Sequence, residues 1–396
     1  MTFGQRLRAL REQRGMSRPV LGGLVGKSAE WVKGLENGRL LPPRLPVLLQ
    51  LAQALQADDL AALTGDERVT SVSYGKTAHE QLPEIADALA RHPITAGDSA
   101  QVDAGDLAAR VAQTWDLWHG TRRHRTAVAT LLPGLLHDAR VATRGEGRRA
   151  ALGSLAQVYH LTQLFLSFQP VPELVTLAGD RAMTAALDTD DPHTIAASAW
   201  YSNHVYRDAG QQHEARVQLA LDARGLLHPE SADEDRALWG LLSLAVALSF
   251  AKVGREGDAW RYWDDADEAA RALPLGYSHP WLKFGRPMVD AYAITILADL
   301  MRGGDAVTRA DRVDLDGIGS ATRSAFHTIE TARAYHQQRE HVATLALVQR
   351  AYQEAPETAR FNLFTRSVVA DMAANGGATV RRDAVRFAGE LGIIDR

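Results

Sequence analysis

Apolar positions recur at helical spacing along most of the chain. Phe3, Leu7 and Leu10 form one stripe at i, i+4 and i+7. Gly15 is placed to close that helix, and Ser17 is placed to cap the next, with Pro19 in its first turn. Val20, Leu21, Leu24 and Val25 supply a buried side before Gly26. Ser28 caps a third helix with Val32 and Leu35 facing inward, stopped at Asn37-Gly38. A fourth helix over about Leu45 to Leu55 buries Leu48, Leu51 and Ala52. A short fifth, capped by Asp58 or Asp59, ends at Thr64-Gly65.

The pattern changes after residue 66. Thr70 to Gly75 is polar and aperiodic, and residues 92–106 read as loop. Between them His79 to Arg91 predicts a short helix. From about Asp106 onward the chain reads as helix without an alternating strand. The helices fall in pairs with recurring small residues. Gly210-x4-Ala215 with Leu219 and Ala223 is followed by Gly254-x4-Ala259 with Trp263 and Ala266. A further copy holds Ala343, Leu347 and Ala351, and an earlier one ends near Ala178 to Ala186. The period is 42–44 residues. A helix pair cannot bury its apolar face alone, so such units stack. An irregular bundle rich in alanine is the competing reading. The expected architecture is all-α: a head over 1–66, a linker with one helix over 67–100, and an α-solenoid over 101–396.

Composition narrows the chemistry. The 396 residues contain no cysteine, which excludes disulfides, thiolate metal sites and cysteine nucleophiles. No apolar run approaches the roughly 20 residues of a membrane-spanning helix, and the charged N-terminus is not a secretory signal. The expected location is cytoplasmic, with no membrane partner. Net charge is −4, yet residues 1–50 hold nine basic and three acidic side chains. A basic head on an acidic body suggests a polyanion partner for the head. Two stretches look like phosphate loops. Gly22 to Ser28 has Leu21 where the motif needs glycine, and residues 70–77 have Thr70 there. The fourteen histidines form no H-E-x-x-H, and there is no G-x-S-x-G. No metal, cofactor or catalytic set is expected.

Residues 3–64 resemble the lambda-repressor/Cro-like (XRE) helix-turn-helix family. The matching text includes LRALREQRGMSRPVLGGLVGKSAEWVKGLENGR, with Ser17, Gly26, Val32, Leu35 and the Leu-Glu-Asn-Gly ending in family positions. The form Ser-Ala-Glu-Trp-Val-Lys is similar to actinobacterial regulators. The remainder looks like tetratricopeptide-type repeats, although the 34-residue consensus is not cleanly present. The resemblance implies a recognition helix over about 28–36, inserted in the major groove. Ala29, Glu30, Trp31, Lys33 and Gly34 would face the groove. Arg18, Lys27, Ser28, Asn37 and Arg39 would meet phosphates. Ala29 offers a base only a methyl contact, Glu30 can accept from cytosine, and Lys33 can reach guanine. Trp31 is either a DNA contact or a core residue. Tyr159, Asn203 and Arg207 are candidates to hold a peptide or small-molecule effector, with ordinary helix packing as the alternative. The implied function is a homodimeric transcriptional regulator binding double-stranded DNA at a palindrome. The rival is a protein–protein adaptor that uses the repeats as its scaffold.

Overall fold

The computed structural model describes residues 1–57, 59–65, 76–94, 102–145, 147–209 and 213–394, without the side chains of 205–209. Every regular element among the described residues is helical. The head holds α1 (Phe3–Gln13), α2 (Arg18–Leu24), α3 (Ala29–Glu36), α4 (Leu45–Ala54) and α5 (Ala61–Thr64). Thr2 and Gln5 close a reciprocal cap on α1. Ser17 and Ser28 accept from Val20 N and Trp31 N, so both predicted caps form. Asp59 receives Ala61 N at 3.1 Å, while Asp58 lies outside the described residues. Leu7, Leu21, Val32, Leu35, Leu51, Leu55 and Leu63 meet in one small core. The head therefore carries its own apolar centre.

The linker helix α6 (Leu82–Ala90) belongs with the body. Its Leu82, Ile85 and Leu89 enter the body's core. Buried Arg140 donates to the carbonyls of Ala88, Leu89 and Arg91, which satisfies the end of α6.

The body opens with α7 (Ala104–Gly120), α8 (His124–Ala129) and α9 (Leu132–Ala142). Five antiparallel pairs follow. They are α10 (Arg148–Leu166) with α11 (Pro172–Leu187), and α12 (Pro192–Ala209) with α13 (His213–Arg224). Then come α14 (Asp233–Lys252) with α15 (Glu256–Ala272), α16 (Arg286–Asp299) with α17 (Gly303–Ala310), and α18 (Ala321–Gln337) with α19 (His341–Glu354). The first helix of each pair packs on the first helix of the next, which makes a solenoid. The short α20 (Pro356–Phe361) leads to a final pair, α21 (Leu363–Asn375) and α22 (Ala378–Glu390).

The alanines noticed in the sequence lie on the second helices, where Ala178, Ala223, Ala259 and Ala351 are buried, but Ala215 is exposed and Ala343 half-buried. The copy missing between Ala259 and Ala343 is α17, which buries Gly303 and Ala306. Gly210 lies outside the described residues. Turns between first and second helices reverse the chain through left-handed residues: Phe168, Gly254, Met301 and Arg339, at φ of 67°, 78°, 64° and 64°.

The stack curls until its start touches its end. His119 on α7 bonds Ser320 at 2.8 Å, and Glu357 on α20 accepts from the backbone of Arg125 on α8 at 2.6 Å. Trp115, His160, Tyr201 and Trp281 stack in its interior at centroid separations of 4.6–6.3 Å. Trp281 comes from the long connection between α15 and α16. The concave groove expected of stacked pairs is therefore filled here by the protein's own rings.

Candidate nucleic-acid interface

The head's chemistry gathers where the N-termini of α2 and α3 approach α1. An open cleft of about 470 Å³ is lined by Arg8, Arg11, Arg18 and Lys33, with Glu12, Ser17, Pro19, Ala29 and Glu30. Four cations stand against Glu12 and Glu30 on its walls and Glu36 beneath, which leaves it positive by one charge. Two helix N-termini add partial positive charge and orphan N–H groups. The cleft is chemically suited to anions.

Its floor is an ion-pair network. Glu36 is buried at the end of α3. Arg11 Nε donates to its Oε1 at 2.5 Å and Arg18 Nε to its Oε2 at 2.8 Å. Burial alone would raise the Glu36 pKa, but the two guanidinium groups hold it below the usual carboxylate range. Arg11 also donates to Met16 O at 2.7 Å, which closes the α1–α2 connection. Arg18 thus sits at the expected place with its Nε committed to Glu36 and its side chain about one-third exposed. Above this floor Lys33 bonds Glu30 at 3.1 Å, and Arg8 bonds Glu12 at 2.8 Å. Both are exposed pairs, weak enough for an incoming anion to displace.

The remaining head residues divide. Ala29, Glu30 and Lys33 face the cleft. Trp31 is half-buried and packs on the head's core. Lys27 flanks the α2–α3 turn, and Arg39 is exposed just beyond α3. Ser28, Gly34 and Asn37 meet the body. The position where a Gly254 Cβ would stand is 2.5 Å from Ser28 Cβ. A Gly34 Cβ would stand 2.7 Å from Met301 Cε. Arg339 Nη2 donates to Asn37 O at 2.9 Å. Arg8 and Arg11 were missed in the sequence because α1 is apolar-striped and reads as scaffold. Their i, i+3 spacing, which puts both on one side of the helix, was the available signal.

Of the expected effector residues, Tyr159 and Asn203 are buried and bonded within the body. Tyr159 Oη accepts from Arg140 Nε at 3.0 Å, both buried. Asn203 is buried, donating to Arg216 O at 3.0 Å and accepting from Ser249 at 3.2 Å, so it ties α12 to α13 and α14. The side chain of Arg207 lies outside the described residues. A body cleft of about 280 Å³, edged by Asp311, Asp314, Asp316, Tyr335 and Arg350, includes none of them. Among the described residues no cluster of three His, Asp or Glu could hold a metal ion, and no helix is long and apolar enough to cross a membrane.

Residues 2–63 match a family model described as a helix-turn-helix domain. No curated protein and no solved structure matches the chain. The head is thus a helix-turn-helix domain, the class that lays a recognition helix in the DNA major groove. The body is an all-helical stack for which the match provides no family.

Proposed function

We propose that this chain is a sequence-specific transcriptional regulator of the XRE type. The observation that carries this reading is the open, cation-lined cleft at the N-termini of α2 and α3 within a helix-turn-helix head. Lys33 and Glu30 read base edges, and Ala29 offers a methyl contact. Ser28, Lys27, Asn37, Arg39 and the outward nitrogens of Arg18 meet phosphates. One head covers a half-site. A homodimer held through the tetratricopeptide-like body therefore reads a palindrome, and a peptide or small molecule acting on the body tunes the outcome.

The test is selection from random DNA duplexes by the full-length protein, beside an Arg8→Ala/Lys33→Ala variant. Both replaced side chains are exposed and outside the Glu36 network, so the head's fold is spared. The wild type is expected to enrich a palindrome with strongly salt-dependent affinity. The variant, with two cleft cations removed, is expected to lose about tenfold or more in affinity and to show a shallower salt dependence. Absence of both enrichment and salt-dependent binding overturns the reading.

A further inference from the structure

Gly34 is the oddest residue of the proposed recognition helix. An interior glycine costs a helix about 1 kcal/mol relative to alanine and offers a base nothing to bond. Met301 of the body and Leu40 of the head both crowd it, 2.7 and 3.2 Å from where a Cβ would stand. Met301 packs over it, and the Met301 thioether accepts from buried Gln337 at 3.7 Å. At one end of α3, Ser28 lies on the glycine turn at 254. At the other, Arg339 holds the Asn37 carbonyl. Gly254, Met301 and Arg339 are the left-handed residues of three successive pair turns. One edge of the solenoid thus presents three turns in register with one helix. Leu41, just past α3, continues the contact by packing on the last core cluster of the body.

We propose that this turn edge is a docking surface for the recognition helix, and that it competes with DNA for it. The inference rests on the DNA-binding reading above. A helix with its side chains is about 10–12 Å across, and the major groove about 12 Å wide. A helix walled by protein along Ser28, Gly34 and Asn37 has no room to seat there. The cleft side, with Ala29 and Lys33, stays open, so DNA can meet the docked head weakly before the body releases it. An undocked fraction f scales the apparent dissociation constant by 1/f.

The experiment uses the full chain and a Met301→Asp/Arg339→Ala variant. Aspartate tolerates the left-handed turn, and both sites lie outside the head. Both changes make the protein more negative, so they oppose DNA binding electrostatically. A thermal melt checks that the variant folds. The cysteine-free sequence also allows spin labels at Leu24→Cys and Val342→Cys, both exposed, to follow head–body separation. The probe is a random-sequence 30-base-pair duplex at low salt, and then any selected operator. The proposal expects at least tenfold tighter binding by the variant, and in the wild type a label separation that widens when duplex is added. Equal affinity, with DNA bound by both proteins, overturns the competition and leaves the DNA-binding reading intact. An open variant that binds no duplex overturns both.

Discussion

Glu36 shows how much one buried carboxylate can organise. It joins α1, α2 and α3 by accepting from Arg11 and Arg18, and it has no exposed side-chain surface. Removing it strands the buried Arg11 charge. Loss of one partner of a buried pair typically costs about 3–5 kcal/mol. Glu36→Ala is therefore expected to lower the urea midpoint of the head's transition sharply while leaving the body's unchanged. An unaltered head midpoint would contradict the network's role. The residue also shows what was legible beforehand. Leu-Glu-Asn-Gly marked the end of α3, and Ser17 and Ser28 marked two helix starts, because caps are local. The inward turn of Arg18 was not legible, since it depends on a carboxylate 18 positions away. Nor was the cover over Gly34, whose partner is Met301.

At the scale of elements, the first helices are tied by charge as well as by packing. Asp299, at the end of α16, accepts from Lys252 of α14 at 3.0 Å and from Arg333 of α18 at 2.7 Å. Burial pushes its pKa up, but Lys252 and Arg333 outweigh that and hold it well below the ordinary carboxylate range. Asp299→Ala leaves two cations facing a buried site and is expected to cost about 3–5 kcal/mol. Hydrogen exchange should then speed up in α14, α16 and α18 together. Faster exchange in α16 alone would mean that the three helices are not coupled through this residue. Helix pairing was readable from alanine spacing because close approach requires small residues. The filled interior was not. Trp281 lies on an aperiodic connection, and nothing in its neighbourhood announces that its ring packs against both Trp115 and Tyr201.

The whole molecule divides by its response to acid. The head contains no histidine, whereas the body buries several. Burial pushes His119, His124, His160 and His327 down to about 3, helped by a nearby arginine for all but His160. Burial and neighbouring His341 lower His336 to about 4. In the unfolded chain these rings take protons near pH 6.5. Between that pH and about 3 the unfolded state binds more protons, so unfolding is favoured as pH falls. Glu357 adds a second window. Burial raises its pKa, but His79 at 3.8 Å and hydrogen bonds from Thr126 bring it to about 2, so its contribution fades between about pH 4.5 and 2. The body's melting temperature should thus drop steadily from pH 7 to 4.5 while the head's stays nearly level. Parallel drops in both would show that another set of groups governs acid unfolding.

The docking edge also has a consequence in time. The head's core is complete once Leu63 has emerged from the ribosome, but Met301 and Arg339 follow more than 200 residues later. At roughly 5–20 residues per second, that interval is on the order of 10–60 s. For that period each newly made head is folded with nothing to cover its recognition helix. A nascent chain would then hold its tightest grip on DNA before its synthesis is finished, and completing the body would be the event that silences it.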